Sequence, residues 1–269
     1  MLWFTAPDWV ECAQNPVTGR PFGDSDVILR LTGSSGYRLL CGARNGSPYA
    51  LLVSRLAAHW EYAVSDFLHY QQELGHNVLC AMDEADRAHA LAATAGHPHD
   101  ERALRPWEPS VLVHSTTPQG WTGILRDGAV RCWSALYAQH ADWEPAPIGA
   151  RLGDPPDFSD YVMFSTGHVA GEIVVLSKQT GRINMDENAS YTPGARLYFD
   201  AAALARDGLL IRDGAHLKVR QEVPLLPYLL CAITPQQLGL ERSTPNEFTR
   251  LANAEFAKAH PELPLADAQ

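Results

Sequence analysis

Three consecutive polar residues in the middle of the chain, His114 to Thr116, directly follow the apolar run 111–113. The apolar run has the β-branched and Leu composition of a strand that is covered on both faces. Thr117 and Pro118 then match the N-cap and the first position of a helix. The imidazole, the hydroxyls and the backbone amides are therefore predicted at a strand exit, where they can face a ligand. A core strand whose His bonds a nearby carbonyl oxygen is the alternative.

Glu222 is the second residue to which we give a chemical role. It stands just before Val223, after a passage of short apolar segments and turns, so its carboxylate is expected at a strand end. A carboxylate placed there can stabilise a positive charge that develops on a substrate. A solvated residue at a sheet edge is the alternative.

Composition limits the classes of partner. The chain has 269 residues, of which 46% are hydrophobic and 19% are charged, and this balance is typical of a globular protein. The formal net charge is −10 and the three lysines are far apart, so a long nucleic-acid partner is disfavoured. No apolar run approaches the roughly 20 residues that span a bilayer, and the N-terminus lacks a basic segment. We expect no membrane association and a cytoplasmic location.

Residue types that bind metals are present but not grouped. The five cysteines are far apart and form no Cys-x-x-Cys pair, which argues against a disulfide framework and against a zinc ribbon. The run His97–Glu101 combines imidazoles with carboxylates, and a metal-dependent hydrolase built on it is one hypothesis. The proline and the acidic residues of this run favour a solvated linker, so no metal site is predicted.

The first hundred residues predict a small α+β domain. Residues 26–53 alternate three apolar runs with Gly- and Ser-rich turns, which indicates a β-meander. Helical periods follow at 59–75 and at 83–95. The Pro-rich stretch after residue 105 marks the predicted border between domains 1–105 and 106–269.

The second domain is predicted to mix strands with short helices. A long active-site loop that contains one short helix is predicted at 132–156, and strands are predicted at 161–166 and 172–177. The stretch 195–219 indicates a strand, a short helix and a hairpin. Residues 244–247 form a capping box, which begins a C-terminal helix whose apolar face is expected to pack on the core.

The stretch Val111–Ile233 resembles the ADP-ribosyltransferase superfamily, in its poly(ADP-ribose) polymerase-like and RNA 2′-phosphotransferase branches. In those families a His-Gly-Ser/Thr motif ends a strand and an Ile-Leu-x-x-Gly helix follows, as with His114 and Ile124 here. Ser115 stands where the families have Gly. The order of strand, Asp-Ala, short helix, Asp-Gly hairpin and Val223-Pro is similar to a passage of the 2′-phosphotransferases.

This resemblance implies an α+β protein with a C-terminal split β-sandwich and flanking helices, after an N-terminal α+β domain of unknown role. It implies NAD as the substrate and an enzyme that breaks the nicotinamide–ribose bond. His114, Glu222 and Tyr161 would be catalytic. The residues implied in binding NAD are Ser115, Thr116, Phe164, Ser165 and Arg131. Because Met163 stands where the families have Tyr or His, Tyr161, Phe164 or another aromatic would cover the nicotinamide.

The chemistry of this bond sets the roles of the residues. Its cleavage passes through an oxocarbenium-like state, for which a protein supplies orientation and a nearby negative charge. His114 would bond a ribose hydroxyl, and Glu222 would face the developing cation. The hydroxyls and amides at Ser115 and Thr116 would hold the carboxamide.

The acceptor of ADP-ribose stays open. The net charge favours a protein or a small molecule over RNA. An NAD glycohydrolase would use the same site, and a non-catalytic module that binds NAD or ADP-ribose is the alternative from another class. An RNA 2′-phosphotransferase would need several arginines around a phosphate. The candidates for that role are Arg131, Arg151, Arg196 and Arg220.

Overall fold

The structure, a computed structural model, describes residues 1–33, 39–43, 48–139 and 147–265. The predicted turns at 34–36 and 45–47, and residues 140–146 of the predicted loop, lie outside the described residues. Helices and strands are mixed along the chain, and the predicted α+β class is confirmed. No described helix is both long and apolar enough to cross a bilayer.

The chain divides into two compact units. The first comprises Met1–Glu101, Leu152–Pro156 and Ile211–His216, and the second comprises Arg102–Arg151, Asp157–Leu210 and Leu217–Gln269. The first unit therefore includes two short segments that the sequence places in the domain 106–269. All the residues predicted to bind or cleave NAD belong to the second unit, whereas the run His97–Glu101 belongs to the first.

The first unit contains one five-stranded sheet. Its strands are β1 (Leu2–Thr5), β2 (Asp26–Thr32), β3 (Leu39–Ala43), β4 (Tyr49–Ser54) and β5 (Asn77–Ala81), in the order β1-β5-β2-β4-β3. The predicted β-meander is wrong, because β2 pairs in parallel with β4 and β5 while β3 lies at the edge, antiparallel to β4. Consecutive apolar residues are buried in β2, β4 and β5, as expected for parallel strands that are covered on both faces.

Two helices follow the predicted positions in this unit. They are α1 (Trp60–Glu73) and α2 (Glu84–Ala93). Gly75 ends the first helical segment in the left-handed region, with a φ of 73°, which a glycine adopts without strain. The sequence did not predict β5, which lies between the two helices.

Most elements after residue 102 are shorter. In chain order they are β6 (Val111–Thr116), α3 (Pro118–Asp127), β7 (Ala129–Arg131), α4 (Trp133–Gln139), β8 (Tyr161–Met163), α5 (Ala170–Thr180), β9 (Ala195–Asp200), α6 (Ala201–Arg206), β10 (Leu210–Arg212), β11 (Leu217–Arg220), β12 (Glu222–Pro224), α7 (Leu225–Tyr228), β13 (Leu229–Ile233) and α8 (Pro245–Ala259). Two 3₁₀ turns lie at Ile148–Leu152 and Pro156–Asp160. The strands form sheets in the orders β13-β9-β6, β10-β11-β8 and β12-β7.

One backbone bridge joins β6 to the chain that continues from β8. The amide of Val113 donates to the carbonyl oxygen of Ser165, and the amide of Ser165 donates to that of Val113, both over 2.8 Å. The segment that begins with β8 therefore pairs with β11 at its start and with β6 at its end. The predicted strand 161–166 is shorter than expected, since regular pairing with β11 ends at Met163.

The predicted strand 172–177 is wrong, because these residues belong to helix α5. Its buried positions include Glu172, Ile173, Leu176 and Ser177, which are spaced by one and four residues as on one face of a helix. Gly181 caps the helix with a φ of 65°. The β-branched run predicted a strand. A helix forms instead, and it buries residues near both ends of the run, Glu172 and Ser177 among them, on one face.

Local capping chemistry identified two other helices correctly. The hydroxyl of Thr117 accepts from the amide of Gly120 at the start of α3. The hydroxyl of Thr244 accepts from the amide of Glu247 at the start of α8. The residues of α8 that pack on the core, with no exposed surface, are Phe248, Ala252 and Phe256. The predicted strand, short helix and hairpin in 195–219 are also present, as β9, α6, β10 and β11.

Candidate functional site

Strand β6 does not end before its polar residues, contrary to the sequence-based expectation. His114, Ser115 and Thr116 all pair with β9, opposite Leu197, Arg196 and Ala195. Side chains of a strand alternate between its two faces, so the imidazole of His114 and the hydroxyl of Ser115 leave β6 in opposite directions. These two side chains therefore cannot hold one ligand together, although the backbone of Ser115 lies beside His114.

The imidazole of His114 is partly buried and has one hydrogen-bond partner among the described residues. Its Nδ1 lies 3.2 Å from the carbonyl oxygen of Met163, and its ring meets the ring of Phe164 edge-on at 6.4 Å. Burial lowers the pKa of His114 from 6.5 to about 4, against the bond to Met163, and the positive charge of Lys178 adds to the decrease. The imidazole is therefore neutral at pH 7.

The partner of Nδ1 fixes the tautomer of His114. A carbonyl oxygen only accepts, so Nδ1 carries the hydrogen and donates it to Met163. The Nε2 atom then has a free lone pair and acts as an acceptor. A hydroxyl group of a ligand can donate to Nε2, as a ribose hydroxyl would.

The backbone amide and carbonyl of Ser115 point away from β9. In an antiparallel pair, successive residues direct their amide and carbonyl groups alternately toward and away from the partner strand. Because Val113 uses both groups to bond Ser165, it points away from β9, and Ser115, two residues later, points the same way. Among the described residues, the amide and carbonyl of Ser115 have no backbone partner on that side. One donor and one acceptor beside His114 thus have no strand partner among the described residues.

The side chain of Ser115 belongs to the protein interior. Its hydroxyl donates to Oε1 of Glu172 over 2.5 Å, and the hydroxyl of Tyr191 donates to Oε2 over 2.6 Å. Glu172 is 1% exposed and forms an ion pair with Arg196 at 3.2 Å. Burial and the neighbouring carboxylate raise the pKa of Tyr191, so its hydroxyl stays protonated and donates. The hydroxyl of Ser115 therefore does not face a ligand.

Arg196 uses all its donors inside this network. Its Nη2 donates to the carbonyl oxygens of Gly167 at 2.6 Å and His168 at 3.0 Å. Its Nε donates to the side chain of Asn253 at 3.1 Å, and Nη1 donates to Glu172 and Ser115. The guanidinium is fully buried and has five contacts for its five N–H groups. Arg196 is therefore not available to bind a phosphate.

Glu222 lies in a different setting, at the rim of an open cleft. It is opposite Arg131 in the pair of β12 with β7, and Nε of Arg131 donates to Oε2 of Glu222 over 3.3 Å. The cleft has a volume of about 610 Å³. Its lining includes Arg131, Cys132, Ser134, Gln139, Asp160, Arg220 and Glu222, and His114 is not part of it.

The segment that begins with β8 connects the two ends of the candidate site. The amide of Gln221, next to Glu222, donates to the carbonyl oxygen of Asp160 over 2.8 Å. Met163, which bonds His114, follows Asp160 by three residues. An extended chain rises about 3.4 Å per residue, so the backbone of Asp160 and that of Met163 are about 10 Å apart.

The other predicted site residues have structural contacts. The ring of Tyr161 is 7% exposed and lies 4.5 Å from Nζ of the fully buried Lys218. The hydroxyl of Thr116 faces α3, where a Cβ on Gly120 would come within 2.2 Å of it. Ser165 donates through its hydroxyl to Val113 at 3.4 Å, in addition to the backbone bridge.

Two further residues of the site were not identified from the sequence. Lys178 influences His114 from the last turn of α5, and no signal pointed to it because its helix was predicted as a strand. Asp127 bonds Arg131 at 3.0 Å. The four-residue spacing of these two opposite charges was a signal that could have indicated this pair.

Comparisons of the chain with protein-family models, with curated proteins and with solved structures find no match. Any proposal about function therefore depends on the geometry of the second unit. That geometry combines the neutral imidazole of His114, the backbone donor and acceptor of Ser115, and the carboxylate of Glu222 at the rim of the cleft.

Protonation of His114 is expected to destabilise the fold at mildly acidic pH. Its pKa is lower in the folded state than in the unfolded state, so the unfolded chain binds more protons as pH falls below 6.5. The difference between about 4 and 6.5 corresponds to a loss of about 2 kcal/mol between pH 8 and pH 5. We expect His114→Gln to remove that part of the pH dependence in urea unfolding. The control, His89→Gln at an exposed position, should keep the pH dependence of the wild type. The same dependence of the free energy of unfolding on pH in wild type and His114→Gln would contradict the burial argument.

Removal of one charge from the buried network is expected to be costly. Glu172→Gln leaves the guanidinium of Arg196 buried without an anion, which should lower the free energy of unfolding by about 3 to 5 kcal/mol. The measurement is urea denaturation at pH 7.5. The matched control is Glu255→Gln, which breaks a pair with Lys258 at the surface and should change stability by less than about 0.5 kcal/mol. Equal effects of the two changes would show that the network is not required.

Proposed function

We propose that the chain is an NAD-dependent ADP-ribosyltransferase, which breaks the nicotinamide–ribose bond and transfers ADP-ribose to a protein or a small molecule. The observation that carries the proposal is that the backbone amide and carbonyl of Ser115, beside the neutral imidazole of His114, have no backbone partner on the side away from β9 among the described residues. A primary carboxamide donates through its NH2 group and accepts at its carbonyl oxygen. The carbonyl oxygen of Ser115 can accept from the first, and the amide of Ser115 can donate to the second. We propose the split β-sandwich as the fold of this unit, since the segment that begins with β8 pairs with both β11 and β6.

Each remaining part of the nicotinamide riboside has a matching group. Nε2 of His114 can accept from a ribose hydroxyl, because Nδ1 is occupied by Met163. We propose Phe164 as the aromatic residue that covers the nicotinamide ring, because it is partly buried and its ring contacts that of His114. Glu222 follows Gln221, whose amide bonds Asp160, three residues before the Met163 carbonyl oxygen that His114 contacts. Tyr161 gains no support as the stacking residue, because its ring lies under Lys218.

Glu222 supplies the negative charge of the mechanism. As the bond to nicotinamide breaks, the leaving group becomes neutral and positive charge develops on the ribose. A carboxylate held nearby stabilises that state more than the ground state, and such a contribution raises the rate. The acceptor can approach from the cleft, since Glu222 lies on its rim.

An RNA 2′-phosphotransferase is the second candidate, favoured by one observation. Arg131 and Arg220 both line the cleft beside Glu222, where they could contact a phosphate. Arg196, a third candidate from the sequence, is excluded by its complete set of buried partners. Two arginines, one of them already paired with Glu222, make a weaker phosphate site than the several that this reaction requires.

The role of Glu222 is tested by nicotinamide release from NAD. We expect Glu222→Gln to reduce the rate at least 100-fold, because it removes the charge that faces the cation, while NAD still binds. Nicotinamide is measured by chromatography and NAD binding by calorimetry. The matched control is Glu255→Gln, at a surface ion pair of α8, which should keep the wild-type rate. Saturable binding without release by the wild type would instead support a non-catalytic binding module.

The contact to the Ser115 backbone is tested with an analogue of NAD. In 3-acetylpyridine adenine dinucleotide a methyl group replaces the amide nitrogen, so the donor to the carbonyl oxygen of Ser115 is lost. We expect Kd to rise about tenfold relative to NAD, which corresponds to one hydrogen bond. The control is nicotinamide hypoxanthine dinucleotide, which changes only the base and keeps the carboxamide. Equal affinities for NAD and the acetyl analogue would contradict the proposed contact.

A further inference from the structure

Glu222 is half-exposed at the end of the short strand β12, and a contact with Arg131 orients its side chain. Its side chain is 52% exposed, so the protein interior does not hold it in place. An unrestrained glutamate loses rotamer freedom when it must point one way, at a cost in free energy. A side chain that fixes Glu222 before the substrate binds would remove this cost from the reaction.

Arg131 has the position and the contacts for this task. It lies directly across from Glu222 in the pair of β7 with β12, and its own side chain is only 24% exposed. Its Nη1 donates to Asp127 at 3.0 Å and to Gln139 at 3.1 Å, on α3 and α4. Two acceptors from two helices thus hold one side of the guanidinium, and Nε on its other edge donates to Glu222.

The bond to Arg131 leaves one oxygen of Glu222 for the substrate. Arg131 contacts Oε2 through a single N–H group, at 3.3 Å. Among the described residues Oε1 has no hydrogen-bond partner. The other charged groups in the cleft are Asp160, before β8, and Arg220, on β11. The planar guanidinium, rather than a flexible ammonium, suits a bridge with fixed directions between three acceptors.

We infer that Arg131 is a positioning residue, which directs the carboxylate of Glu222 toward the reacting ribose. The inference depends on the proposed function and replaces the expectation that Arg131 binds NAD. Asp127 and Gln139 hold Arg131, and Arg131 holds Glu222. Arg131 thereby acts on the reaction only through Glu222.

A double-mutant cycle separates this role from direct binding. We expect Arg131→Gln and Arg131→Lys to lower kcat about tenfold or more, because misplacement of a catalytic group is costly, with KM for NAD within about twofold of wild type. In a Glu222→Gln background the same changes should cause no further loss. The matched control is Arg126→Gln: Arg126 also bonds Asp127, at 2.7 Å, but its side chain is 66% exposed and it has no contact with Glu222. A further loss in the Glu222→Gln background, or a raised KM with unchanged kcat, would overturn the inference.

A measurement that needs no turnover, the ¹³C NMR signal of Glu222, distinguishes failure of the inference from failure of the proposed function. The ¹³C signal of the Glu222 carboxyl group is assigned by its loss in Glu222→Gln. It should move in Arg131→Gln and Arg131→Lys and stay in place in Arg126→Gln. An unmoved signal would show that Arg131 does not hold Glu222. Absence of nicotinamide release from the wild type would instead remove the proposed function, while a moved signal would keep the structural part of the inference.

Discussion

A fully buried ion pair, Glu172 with Arg196, is the interaction on which the candidate site depends. Both side chains have lost their water, and that loss is compensated only because every donor of the guanidinium and both carboxylate oxygens have partners. The pair joins α5 to β9, and its neighbours Ser115 and Asn253 add β6 and α8. Four elements of the second unit are thus connected through one set of polar contacts.

The same ion pair explains why the backbone of β6 has no strand partner at Ser115, beside His114, among the described residues. Arg196 bonds the carbonyl oxygens of Gly167 and His168, which holds the chain in a bend directly after Ser165. Pairing with β6 therefore ends at Ser165, and the next backbone groups of β6, at Ser115, are left without a strand partner. The buried charge cluster in this way leaves one backbone donor and one backbone acceptor of β6 without a strand partner among the described residues.

Local patterns predicted the elements that local chemistry determines. The helices α3 and α8 were found because their caps are encoded within four residues, at Thr117 and Thr244. Helix α5 was missed, because an apolar β-branched run favours a strand until distant groups bury Glu172. The parallel sheet of the first unit was missed for a related reason, since its pairing joins strands that are far apart in the chain.

The candidate site was predicted in part. The sequence named His114 and Glu222, and the structure places them near two ends of one short segment that begins with β8. The sequence could not show that Ser115 would contribute its backbone groups rather than its hydroxyl. Only the register with β9 determines the face on which each side chain lies. The sequence also could not assign Arg131 to Glu222, since that contact depends on the pairing of β7 with β12.

The most direct test of the central claim is a crystal structure of the Glu222→Gln variant with NAD, in which the substrate stays intact. We expect the carboxamide within hydrogen-bonding distance of the amide and carbonyl of Ser115. A ribose hydroxyl should lie on Nε2 of His114, and residue 222 should be beside the same ribose. NAD bound elsewhere, or a nicotinamide that does not contact the backbone of Ser115, would contradict the account.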